Sequence, residues 1–64
     1  MKQQMIEYLQ GMMDVFQRDM ARYGTEDHIV QDRLHAMIAC KEMVEAMIGE
    51  PVNLGVNGKV TVGF

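Results

Sequence analysis

His28, Asp32 and His35 recur at helical spacing, and two imidazoles beside a carboxylate on one helix flank are the donors of a transition-metal site. The sequence supplies no fourth ligand, and the pattern falls short of a His-Glu-x-x-His signature, so a solvated flank without a metal is expected. Cys40 is the single thiol of the chain. A nucleophilic cysteine needs a nearby imidazole or cation to hold its thiolate, and none adjoins it in sequence. A small packed core residue is the expectation there. Arg18 and Arg22 share a helix face that ends at Tyr23, and with His28 they could contact a phosphate or carboxylate near the loop. Glu26 and Asp27 already supply negative charge beside them, which favours a solvated polar face. Asp19 and Arg33 each interrupt an apolar arc. They are expected to form a structural ion pair near the helical turn, within one chain or between subunits, where a half-buried pair fixes register more than it adds stability. No catalytic constellation, phosphate loop or cofactor motif is present, and the protein is expected not to be an enzyme.

Composition narrows the classes further. Apolar residues make up 48% of the chain, too many for a disordered tail. Six Lys/Arg against nine Asp/Glu give a net charge of −3, which argues against nucleic acid as a partner because a phosphate backbone needs a basic face. No apolar run approaches the ~20 residues that cross a bilayer, so no membrane role is expected. The opening residues Met1 to Glu7 lack the apolar core of a signal peptide, and a lone cysteine suits a reducing compartment, so a cytoplasmic location is expected. A chain this short buries only about 60% of its unfolded surface, and neither a disulfide nor a zinc-type cysteine spacing supplements its core. Partners remain as the source of extra burial, and a homo-oligomer, most simply a dimer, is expected.

The elements that must position these residues are three, read as a single domain over 1–64. Punctuation at Tyr23-Gly24-Thr25, Gly49-Glu50-Pro51 and Asn57-Gly58 separates them. The first helix is expected over 2–23. Met5, Leu9, Met12 and Phe16 follow a 4-3-4 spacing and Ile6, Met13 and Met20 recur every seventh residue, which with Tyr8 and Val15 makes an apolar arc about 180° wide. Gln3, Gln10, Asp14, Gln17, Arg18 and Arg22 fill the opposite arc, where Asp14 and Arg18 stand one turn apart. The second helix is expected over 26–48, capped by the Thr25 hydroxyl and stopped by Gly49 and Pro51. Three of its lines are apolar: Ile29-Ala36-Met43, Val30-Met37-Val44 and Cys40-Met47. A two- or three-residue connection makes the pair an antiparallel helical hairpin.

A β-hairpin is expected over 52–64. A two-residue Asn57-Gly58 turn would mix polar and apolar side chains on each face. A three-residue loop, Val56-Asn57-Gly58 with Gly58 left-handed in a bulge, instead sets Leu54 opposite Val60 and Val52 opposite Val62, with Phe64 on the same face and Asn53 and Thr61 outward. The fold class is therefore α+β, mainly α: an antiparallel helical hairpin followed by a C-terminal β-hairpin, oligomeric.

Both helices carry more apolar surface than one neighbour can hide. Eight methionines, a residue favoured at adaptable binding surfaces, add to it. Met13, Val15, Leu34, Met37, Ile38 and Met47, with Met12, are the candidate contacts for an oligomer or partner interface. The function that follows is a small non-catalytic interaction protein, an inhibitor, adaptor or regulator that acts by binding another protein. The alternative is an oligomer that sequesters a small anionic or nucleotide-like ligand, with Arg18, Arg22, Tyr23 and Arg33 as its binding residues. In general style, a short chain with a helical hairpin and no enzyme motif, the sequence looks like compact accessory proteins of bacteria and phages. Some of those block host defences by binding a protein or by soaking up a signalling nucleotide. The likeness is one of style and rests on no particular residues.

Overall fold

The computed structural model describes residues 1–55 and 57–63. Helix α1 (Lys2–Tyr23) and helix α2 (His28–Ile48) run antiparallel, and strands β1 (Val52–Leu54) and β2 (Val60–Val62) form an antiparallel ribbon. The molecule measures 34 × 19 × 18 Å, about the length of one helix by the width of two. Among the described residues no helix is long and apolar enough to cross a membrane.

The start of α2 differs from the sequence expectation. Asp27, not Thr25, is the N-cap, and the helix begins at His28. The Asp27 carboxylate accepts from the amides of Ile29 at 2.9 Å and Val30 at 3.3 Å. A charged acceptor at the positive end of the helix satisfies two otherwise unpaired amides, which a neutral hydroxyl two residues earlier does not reach. Thr25 belongs to the turn instead, and its carbonyl accepts from Gln31 Nε2 at 2.6 Å. The connection is accordingly longer than expected, spanning residues 24–27. Gly24 at φ 90° and Gly49 at φ 72° end the two helices in conformations that favour glycine.

The core takes Leu9 and Met13 from α1, Val30, Met37 and Val44 from α2, and Val52 from β1. Of the three apolar lines on α2, the fold buries Val30-Met37-Val44 and turns Ile29-Ala36-Met43 outward. Leu54, Val60 and Val62 pack on this core from the ribbon, with β1 beside α2 and β2 beside α1. Val52 stands opposite Val62 and Leu54 opposite Val60, with Asn53 and Thr61 outward, as the three-residue loop requires. Gly58 has φ 82° and donates its amide to the Gly55 carbonyl at 3.0 Å, closing the turn. The Gln17 amide lies where a Cβ on Gly58 would stand. The expectations for Val56 and Phe64 fall outside the described residues.

Two long polar side chains fasten the ribbon to the helices. Gln10 accepts from the Val60 amide at 2.9 Å and donates to the Gly58 carbonyl at 2.7 Å, using both ends of its own amide. Glu45 accepts from the Val52 amide at 2.7 Å. An isolated two-stranded ribbon leaves outward amides unpaired on both edges. Here one such amide on each strand is met by a helix.

Candidate functional site

The side of the helical hairpin that carries no strand is the first candidate surface. Two rows of residues face it. On α1 the row is Met5, Tyr8, Met12 and Val15; on α2 it is Ala36, Cys40, Met43 and Met47. Both rows line the two shallow grooves on this side, of about 470 and 330 Å³, and no described residue of β1 or β2 reaches either. Each row steps by alternating threes and fours, an average of ~3.5 residues, which is the repeat of helices that pack side by side over their length. Tyr8 and Met43 are 66% exposed and Met47 is 64% exposed, so these are not core side chains.

One step beyond Val15 the α1 row meets Asp19, and one step before Ala36 the α2 row meets Arg33. These two side chains touch: Arg33 Nε lies 2.7 Å from Asp19 Oδ2, within one chain. Arg18 Nε approaches the other carboxylate oxygen at 3.4 Å. The Asp19 residue is only 5% exposed, while both arginines keep much of their length in water. A carboxylate held this far from solvent requires a charged partner, and the guanidinium of Arg33 provides it.

Gly11 lies between Tyr8 and Val15 in the larger groove. Mid-helix glycine costs about 0.5–1 kcal/mol relative to alanine. Nothing among the described residues explains it, because a Cβ at Gly11 would meet none of their atoms within 4 Å. Tyr8, Gly11, Met12 and Val15 stand at i, i+3, i+4 and i+7, the four corners of a hole that receives a side chain of a facing helix.

A third apolar groove, of about 480 Å³, makes a second candidate surface beside the ribbon, where Phe16, Met20, Leu34, Ile38 and Leu54 meet over Met13 and Met37. Its distance from the first is set by the hairpin itself, whose buried line Val30-Met37-Val44 separates them.

The residues singled out from sequence divide accordingly. Met13 and Met37 are buried, and so they belong to the core rather than to an accessible interface; the crossing of the helices under the ribbon claims both. Val15 and Met47 lie on the open side, and Leu34 and Ile38 on the ribbon side. Of the four residues suggested for an anionic ligand, Arg18 and Arg33 turn to Asp19, and Arg22 lies with its guanidinium carbon 6.0 Å from the Tyr23 ring centroid, so they do not converge on one cleft. Asp14 accepts from Gln10 rather than from Arg18. His28, Asp32 and His35 are exposed, and no cluster of three or more potential metal ligands occurs among the described residues. Cys40 is a half-buried free thiol in the open-side row.

Gln10, Gly11 and Glu45 are the residues that sequence reasoning missed. Gln10 and Glu45 look like ordinary polar positions until a strand amide comes within reach. Gly11 alone carried a signal: a glycine at mid-helix between apolar neighbours. No protein-family model matches the sequence, and no curated protein or solved structure matches it.

Proposed function

We propose that this protein is a small non-catalytic interaction module that self-associates and acts by binding another protein, in the manner of an inhibitor, adaptor or regulator, in a cytoplasmic setting. One observation carries the reading: the described residues leave two separate apolar surfaces uncovered, one on the strand-free side and one beside the ribbon. Single exposed apolar residues are ordinary, but contiguous apolar grooves on a chain this small are surfaces for association. Two of them allow one to serve self-association and the other a different protein. Methionine supplies much of both, and its unbranched, polarisable side chain adapts to a partner's shape. Sequestration of a small anion has less support, since two of its candidate cations face Asp19 and the third lies against Tyr23.

Affinity capture with purified protein tests the reading. The wild type should retain one protein that Ile38→Lys loses, and the interaction should be rebuilt from the two purified components. Ile38 is exposed, so the substitution should leave the circular dichroism of the fold unchanged. Equal retention by wild type and variant, or no binding by the purified pair, would count against it.

A further inference from the structure

We infer that the occupant of the strand-free side is a second copy of this chain, the two helical hairpins closing a four-helix bundle about a two-fold axis. This rests on the reading above and assigns one of its two surfaces.

Three features favour a copy over another protein. The first is self-complementarity. A two-fold interface uses one patch twice, so the patch must hold both projecting side chains and the places that receive them. This side has both: Tyr8, Met43 and Met47 project, and the hole cornered by Tyr8, Gly11, Met12 and Val15 is open. The two 3.5-repeat rows are the pattern of helices in a four-helix bundle, and the ribbon lies on the outer side, where it does not obstruct closure.

The second is charge. The chain carries −3 overall, so two copies repel wherever their acidic surfaces approach. The grooves of this side include one acid, Glu7, and one base, Arg33, and no other charged residue. With Arg33 paired to Asp19, Glu7 is the one unpaired charged side chain among these groove residues, so a like-charged copy meets little repulsion on this side. The third is area. An aromatic side chain offers on the order of 200 Å², and methionine is comparable, so the rows and Met1 together offer roughly 700 Å². A standard interface takes about 800 Å² from each partner.

Gly11 acquires a reason in this arrangement. A helix from the copy crosses close to α1 where no Cβ intervenes, which explains a glycine that the described residues of one chain do not need.

The test is the mass of the intact chain in solution, by native mass spectrometry and sedimentation equilibrium at tens of micromolar. The wild type should weigh twice 7.3 kDa. Met43→Lys, which puts a charge on the face, and Gly11→Leu, which fills the hole, should each raise the dimer dissociation constant at least roughly tenfold, with helical circular dichroism retained. Leucine is a better helix former than glycine, so loss of dimer in Gly11→Leu does not come from loss of the helix. Ile38→Lys should leave the mass unchanged. A monomeric wild type, a mass other than two chains, or a dimer indifferent to both Met43→Lys and Gly11→Leu would overturn the proposal. Failure here is distinct from failure of the partner-binding reading: a monomer that still holds a partner protein through the Ile38 groove overturns the copy and the self-association and leaves the binding of another protein standing. A dimer abolished by Ile38→Lys alone moves self-association to the other groove and likewise overturns it.

Discussion

Arg33 Nε and Asp19 Oδ2 stand 2.7 Å apart, joining the last turns of α1 to the second turn of α2 across the hairpin. The contact closes the turn end of the molecule, and it fixes the axial register in which the α1 row lies beside the α2 row. Because only the carboxylate is buried, the two partners respond unequally to substitution. Arg33→Ala leaves a buried charge with a weaker partner. Breaking a wholly buried pair costs about 3–5 kcal/mol, and water reaching this half-exposed guanidinium reduces that to about 1–2 kcal/mol. Arg18→Ala removes a longer contact from a more exposed side chain and should cost less than about 0.5 kcal/mol. Urea denaturation of the two variants checks the asymmetry; equal losses would contradict it.

The Gln10 clamp should be visible at single amides. Gln10→Ala leaves the Val60 amide and the Gly58 carbonyl without their partner, at a cost of about 1–3 kcal/mol. Gln10→Glu keeps an acceptor for Val60 but sets a carboxylate against the Gly58 carbonyl. Hydrogen exchange should quicken at Val60 in both variants, more in Gln10→Ala, while the helical amides of α1 keep their protection.

The helix cap separates two neighbouring residues cleanly. Asp27→Ala should destabilise the protein by about 1 kcal/mol, the usual loss of an N-cap. Thr25→Ala should change stability by less than about 0.5 kcal/mol, as for a surface turn position. Thermal melts of the pair are sufficient, and the opposite ranking would return the cap to Thr25.

Acid should loosen the ribbon through Glu45. The Val52 amide that donates to this carboxylate, and then Lys41 beside it, hold its pKa below the usual 4.5. A carboxyl whose folded value is lowered stabilises the fold above its unfolded pKa and loses that contribution as pH falls through the folded value. Stability should therefore be flat in this respect above about pH 4.5 and decline below it. Glu45→Gln should flatten the decline. A carboxyl carbon titration by NMR that placed Glu45 at or above 4.5 would contradict the assignment.

Periodicity and punctuation determined the elements. Apolar spacing near 3.6 residues, closed by Gly24 and by Gly49 with Pro51, marks both helices, because a helix repeats its faces locally and glycine ends it locally. The pairing of Val52 with Val62 was equally legible, since a slip of one residue would turn every apolar side chain of the ribbon outward. Asp19 and Arg33 announced themselves by interrupting apolar arcs. Which apolar line goes inward was not legible. Val30-Met37-Val44 and Ile29-Ala36-Met43 differ by one residue in phase and little in hydrophobicity, and only the position of the ribbon on one side chooses between them. That choice took Met13 and Met37 into the core and left Met43 and Met47 outside it. The tertiary structure also decided the polar fastenings. Gln10 and Glu45 acquire their roles from strand amides 50 and 7 residues away, contacts that no local pattern in the sequence encodes.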